Sequence, residues 1–281
     1  MNKLFKLAGV LLIIGLVFCP LPGQAYNSAA HIYIADHVFP FAFDKVNLFY
    51  GAIAPDISLY VEHPENWPDY FDDTHYDYIK LPFSWWKAGQ YAFAKGWQTH
   101  NEIWGADHYA HGTAPVYNGY VIGKAVYLAG LIPPLNNPPY YELAHFAVET
   151  AIDLLLIEND DPYLGEKLLG AALLRSQADI DLLIKTFVGS GATDSHALIA
   201  AEGFFRELVI NYGTALSLPQ PLRMWALGEL GVQVAGQMGV VITSAEVQEI
   251  LQAAGDICQD DYKGPIETAI QKIRIQPGLI R

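Results

Sequence analysis

The chain has 281 residues, of which 52% are hydrophobic and only 16% charged. That balance excludes a disordered chain and allows a sizeable core. The formal net charge of −14 opposes binding to nucleic-acid phosphates and anionic membranes unless bound cations reverse the local field.

The N-terminus reads as an export signal over residues 1–25. Lys3 and Lys6 precede an apolar run from Leu7 to Phe18, shorter than the roughly 20 residues a spanning helix needs. Gly23-Gln24-Ala25 supplies small residues for cleavage after Ala25, which leaves Tyr26 as the mature N-terminus and predicts a secreted or periplasmic protein. Phe18 is too bulky to stand before a lipid-attachment cysteine, so Cys19 belongs to the leader. Cleavage removes two lysines and no acid, taking the formal charge from −14 to −16, and leaves Cys258 with no internal disulfide partner.

The rest of the chain predicts an all-α protein. Ala29 to Phe39 has helical spacing and stops at Pro40; Asp44 to Ala54 is a second short helix that stops at Pro55-Asp56. Glu62 to Lys80, with two prolines, four aspartates and five aromatic residues, reads as a functional loop. Trp85 to His111 reads as one long helix despite Gly89, Gly96 and Gly105, and Trp85, Trp86, Trp97 and Trp104 read as packing residues. Helices are also expected over Tyr117–Leu131 and Tyr140–Glu158, with a rigid Pro133–Pro139 link between them. Further ones follow near Tyr163–Arg175, Ala178–Phe187, Ser195–Tyr212, Pro221–Met238, Ser244–Ala254 and Ile266–Ile273. Thr243-Ser244-Ala245-Glu246 fits a capping box, and Thr193-Asp194 offers a cap. Gly239-Val240-Val241-Ile242 is the best strand candidate. Residues 26–160 would form the functional core. Residues 161–281 would be either the helical remainder of the same domain or a small helical extension.

Candidate ligands concentrate in the first half. At about 100° per residue, His100, Asp107 and His111 fall within roughly 40° on a helix. His145 and Glu149 follow at i, i+4. Imidazoles and carboxylates are ligand types that zinc accepts. Seven residues of undistorted helix set His100 and Asp107 about 10.5 Å apart along the axis, too far for one ion; a kink at Gly105 would relieve the separation. His75 is preferred to His63 as a ligand; His37, His108 and His196 read as structural or surface residues, and Asp153 continues the Glu149 face.

The order of these residues resembles the zinc-dependent phospholipase C family and its relatives, the secreted single-strand-specific zinc nucleases. The motifs that carry the resemblance are Ala54-Pro-Asp-Ile57, Gly96-Trp-Gln-Thr-His100, Asp107-His-Tyr-Ala-His111 and His145-Phe-Ala-Val-Glu149, with His31 five residues after Tyr26. It covers residues 26–153. It implies an all-helical bundle holding up to three zinc ions. Asp56, His75, His100 and Asp107 would hold one, His111, His145 and Glu149 a second, and Tyr26, His31 and Asp107 the third, with Asp56 also the general base. The activity implied is hydrolysis of a phospholipid headgroup or another phosphodiester by a metal-activated water. The alternatives are a nuclease or nucleotidase, or an exported zinc-binding protein without catalysis. Peripheral membrane contact would accompany the first; neither a stable nucleic-acid partner nor an obligate protein partner is expected.

Overall fold

The computed structural model describes residues 27–61, 67–112, 118–137 and 140–280. The expected leader, Tyr26 and His63 lie outside these residues. Among the described residues there are thirteen α-helices and no strand, so the all-α expectation holds. Helices α1 (Ser28–Val38) and α2 (Lys45–Ile53) lead into a 3-10 segment, Ala54–Tyr60. Then come α3 (Trp67–His75), α4 (Ala88–Trp97), α5 (Ala106–His111), α6 (Tyr120–Leu131) and the long α7 (Tyr140–Asn159). The second half holds α8 (Leu164–Leu174), α9 (Gln177–Leu183), α10 (Ser195–Leu216), α11 (Leu222–Gln237), α12 (Ser244–Cys258) and α13 (Lys263–Arg274). None is long and apolar enough to cross a membrane.

Local chemistry explains the helix starts. The Asn27 side chain accepts from Ser28 N, and Asp194 accepts from His196 N and Ala197 N. The capping box at Thr243 and Glu246 forms in both directions.

Four expectations fail. The segment read as a loop over Glu62–Lys80 contains α3, because Pro68 stands in the first turn of that helix, where a missing N–H costs nothing. Residues 240–242 form no strand. Their run is too short and finds no neighbour to pair with. Trp85 and Trp86 are exposed rather than packed, whereas Trp97 is buried. The single helix expected over Trp85–His111 is two, α4 and α5, separated by a turn at residues 98–105.

That turn has an identifiable organiser. The Asn101 side-chain oxygen accepts from the backbone N–H of Ile103, Trp104 and Gly105 at 3.1, 3.0 and 3.2 Å. An asparagine that satisfies its own following backbone competes with helix continuation. Ala106 N then donates to Thr99 O and Asp107 N to His100 O, at 2.8 and 2.9 Å, folding Asp107 back beside His100. The close approach needs a glycine: a Cβ on Gly105 would collide with the His100 carbonyl.

Helices α2 and α4 pack backbone to backbone. A Cβ on Gly96 would overlap the Leu48 carbonyl oxygen, so Gly96 permits helix contact rather than merely weakening α4. The C-terminal helices close over this pair and α7. The Tyr50 hydroxyl on α2 donates to Glu202 on α10, which also receives Arg175 Nε and one of its terminal nitrogens at 2.8 and 3.0 Å. Tyr212 on α10 donates to Asp153 on α7.

A Gly105→Ala substitution forces a methyl group into backbone. It is expected to cost about 1–3 kcal/mol of folding stability, read by chemical denaturation. Unchanged stability would contradict the close approach at this turn.

Candidate metal centre

Six elements deliver the candidate ligands. His31 comes from α1, Asp56 from the 3-10 segment and His75 from the last residue of α3. His100 comes from the turn, Asp107 and His111 from α5, and His145 and Glu149 from α7. All eight are buried. Tyr26, the ninth expected ligand, lies outside the described residues.

The structure brings these eight into adjoining groups. Three sets present atoms mutually close enough to share a cation: His31, Asp56 and His100; His75, His100 and Asp107; and His111, His145 and Glu149. Asp107 stands in the middle, with Oδ1 3.3 Å from His31 Nε2 and Oδ2 3.1 Å from His100 Nε2. Asp56 Oδ1 lies 3.3 Å from His100 Nε2 and 3.7 Å from His75 Nε2. In the third set His145 Nε2 lies 3.1 Å from Glu149 Oε1 and 3.3 Å from His111 Nε2. Zinc arms of about 2.0–2.1 Å at tetrahedral angles separate ligand atoms by about 3.3 Å. The spacing of seven between His100 and Asp107 is therefore met, by a turn rather than by a bent helix.

Outer hydrogen bonds settle which ring nitrogen faces inward. His100 Nδ1 lies 2.8 Å from the Ala52 carbonyl, which can only accept, so Nδ1 carries the proton and Nε2 presents a lone pair. His75 Nδ1 meets Phe71 O at 3.3 Å and Thr74 Oγ1 at 2.7 Å. His111 Nδ1 lies 2.6 Å from Glu102 Oε1. Each inward Nε2 is thus oriented by a partner on the far side of the ring, the arrangement found behind metal-bound histidines. Behind Glu149 on α7, Asp153 accepts from Ala29 N and Ala30 N at 3.2 and 2.7 Å, which fixes the start of α1 and so the position of His31.

The inward atoms lack ordinary partners. His100 Nε2, both Asp107 oxygens and both Glu149 oxygens are buried and make no hydrogen bond of acceptable geometry. Such groups are costly unless a cation takes the place of water. Glu202 shows the alternative within this same chain: it is buried too, but Arg175 and Tyr50 satisfy it. Asp56, Asp107 and Glu149 instead have histidines for ion-pair partners. The donor set therefore fits divalent metal.

Proton affinities reflect the crowding. Burial raises the Asp107 carboxyl well above its usual range, and Glu102, Asp56 and Glu149 push the same way. Burial takes Glu149 to about 7. Burial lowers His31, reinforced by His100, and also lowers His75 against the pull of Asp56. Burial would depress His145, but Glu149 and Glu142 outweigh it and lift the ring to about 9. At Asp56 burial pushes up, and His100 and His75 more than reverse it.

Glu102 is the participant that sequence reasoning missed. It sits in the turn, two residues after His100 and nine before His111, a spacing with no helical meaning. Glu142, 3.6 Å from His145 Nδ1, was missed as well, although its i, i+3 spacing is a signal that could have found it. Three histidines stay out of the groups: His37 Nδ1 bonds Tyr33 O, His108 Nδ1 faces Glu102 O, and His196 is exposed on α10. No protein-family model, no curated protein and no solved structure matches the chain.

In metal-free protein the raised acids Glu149 (about 7) and Asp153 (about 8) hold protons that the unfolded chain, near pH 4 for such groups, has lost. His145 at about 9 keeps a proton that an unfolded histidine, near 6.5, gives up. The lowered His31 and His75 act in the opposite sense, but only below that ordinary histidine value. Above about 6.5 the folded state therefore binds more protons, and stability falls as pH rises to about 9. Metal binding requires deprotonated ligands, so affinity rises over the same range. Denaturation of chelator-treated protein near pH 6.5 and pH 9 is expected to show greater stability at the lower pH, with the loss at the higher pH reversed by zinc. The opposite order in metal-free protein would contradict the burial of these groups.

Proposed function

We propose that the protein is an exported zinc-dependent phosphodiesterase with a helical bundle of the phospholipase C and nuclease type, acting on a phospholipid headgroup. The observation that supports this reading is the convergence of buried, inward-facing imidazole nitrogens and carboxylates around Asp107, with two of its neighbours oriented by backbone carbonyls.

Clustered zinc ions, when bound, lower the pKa of a bound water towards neutrality and stabilise charge on a phosphoryl group. The chain's own residues do the rest. Asp56, His75, His100 and Asp107 would hold one ion, and His111, His145 and Glu149 a second. The other Asp107 oxygen faces His31, and these two residues would help hold a third ion. Glu102 keeps the His111 ring in the tautomer that offers Nε2. Asp56, whose carboxyl His100 and His75 hold below its usual range, is ionised at neutral pH and can accept the proton of the attacking water. Asn101 and Gly105 maintain the turn on which the His100–Asp107 pair depends. The zinc ions would also provide the positive field that an acidic chain needs to draw in an anionic phosphodiester.

Two other readings share this site: a nuclease or nucleotidase, and zinc binding without catalysis. Parallel assays on phosphatidylcholine vesicles and single-stranded DNA distinguish them. The expected outcome is release of phosphocholine, with Asp56→Asn lowering kcat about 10²–10⁴-fold. Hydrolysis of DNA alone would move the assignment to the nuclease branch. Activity on neither substrate, with metal bound, would favour the non-catalytic reading. Full activity in Asp56→Asn would remove Asp56 from its role as base.

A further inference from the structure

A second concavity lies on the other side of α7. Its volume is about 170 Å³, and its walls come from α7, α10, α11 and α12, with Phe146, Phe205, Leu208, Leu230, Val234 and Leu251 prominent among them. At about 100° per residue, Leu143, Phe146, Ala147 and Thr150 occupy the face of α7 opposite His145 and Glu149. The cavity therefore lies on a different face of α7 from the metal ligands, although Asn27 and Thr150, which follow Tyr26 and Glu149 in the chain, also line it.

Three features define what it accepts. First, no charged side chain lines it among the described residues. Second, its polar groups are few and at least half of them are engaged: the Asn27 amide donates to Thr150 Oγ1 and the Tyr212 hydroxyl donates to Asp153, with Ser28, Tyr60 and Gln237 the other polar residues of the wall. An ionic group would meet no opposite charge there, and a sugar would meet few groups to bond. Third, it is long. Lining residues run over 143–150, 205–212 and 227–234, so each of three helices borders it for about 10 Å. Leu230, Val234, Gln237 and Ile242 are only half-buried and mark a mouth open to solvent.

Protein interiors are normally packed without voids of this size. Apolar cavities of about 150 Å³ stay dry and take up small hydrocarbons. We propose that this cavity is a binding site for one alkyl or acyl chain, inserted lengthwise between α7, α10 and α11, with any polar head left at the mouth. Recognition is by shape and apolar surface alone, so the ligand is a single-chain amphiphile rather than a nucleotide or a sugar.

Calorimetric titration of the purified protein with 1-decanol tests this, with benzyl alcohol as a compact comparison. One saturable decanol site per chain is expected, at least tenfold tighter than benzyl alcohol. Val234→Trp fills the mouth and is expected to weaken decanol binding at least tenfold. Leu208→Trp, on the α10 wall, should do the same and serves if the first variant unfolds at a lower temperature. The metal content of both variants should match that of the parent. The proposal is overturned by no saturable decanol binding to natively melting protein, by equal affinity for benzyl alcohol, or by undiminished binding in a folded variant.

Discussion

Everything near the middle of this protein answers to one constraint: carboxylates and imidazoles are buried facing one another, and among the described residues no lysine or arginine forms an ion pair with them. Removing a carboxylate from water costs on the order of several kcal/mol unless a partner compensates. Asp107 is the extreme case. Its surroundings raise its proton affinity, both oxygens lack hydrogen bonds, and yet it lies at ligand distance from histidines on α1 and in the turn. A divalent cation would resolve that tension, and the outward Nδ1 contacts of His75, His100 and His111 have the orientation such a cation requires.

The fold serves this arrangement through a small number of backbone devices. Packing of α2 on α4, close enough to need Gly96, puts the Ala52 carbonyl against His100. The Asn101 turn reverses the chain so that residues far apart on a helix become neighbours. Asp153 anchors the first residues of α1 to α7, and Tyr212 anchors Asp153 in turn. Residues 161–280 contribute none of the candidate ligands, yet their helices pack against α2 and α7 and form the apolar cavity behind them.

Much of this was legible in the sequence, for physical reasons that differ by element. Helices with clear periodicity and side-chain caps, such as α1 and α12, could be read directly. The i, i+4 pair His145 and Glu149 depends only on helix geometry, so it too was readable. The turn at 98–105 was not, since Thr99, Asn101 and Gly105 interrupt an apolar pattern that continues on both sides. Nor was α3, whose Pro68 looked like a breaker but sits where a helix tolerates proline. Glu102 was hidden for the same reason as the turn: its contact with His111 depends on tertiary reversal, not on spacing. The apolar cavity is made by helices distant from one another along the chain and leaves no local trace.

The central claim is that these buried groups form a metal centre, and direct metal analysis of the purified protein tests it most simply. Plasma mass spectrometry is expected to find two to three zinc ions per chain, and prolonged chelation should lower the melting temperature as the carboxylates lose their counter-charge. A metal content near zero in protein that melts cooperatively, with no response to chelator or to added zinc, would contradict the account.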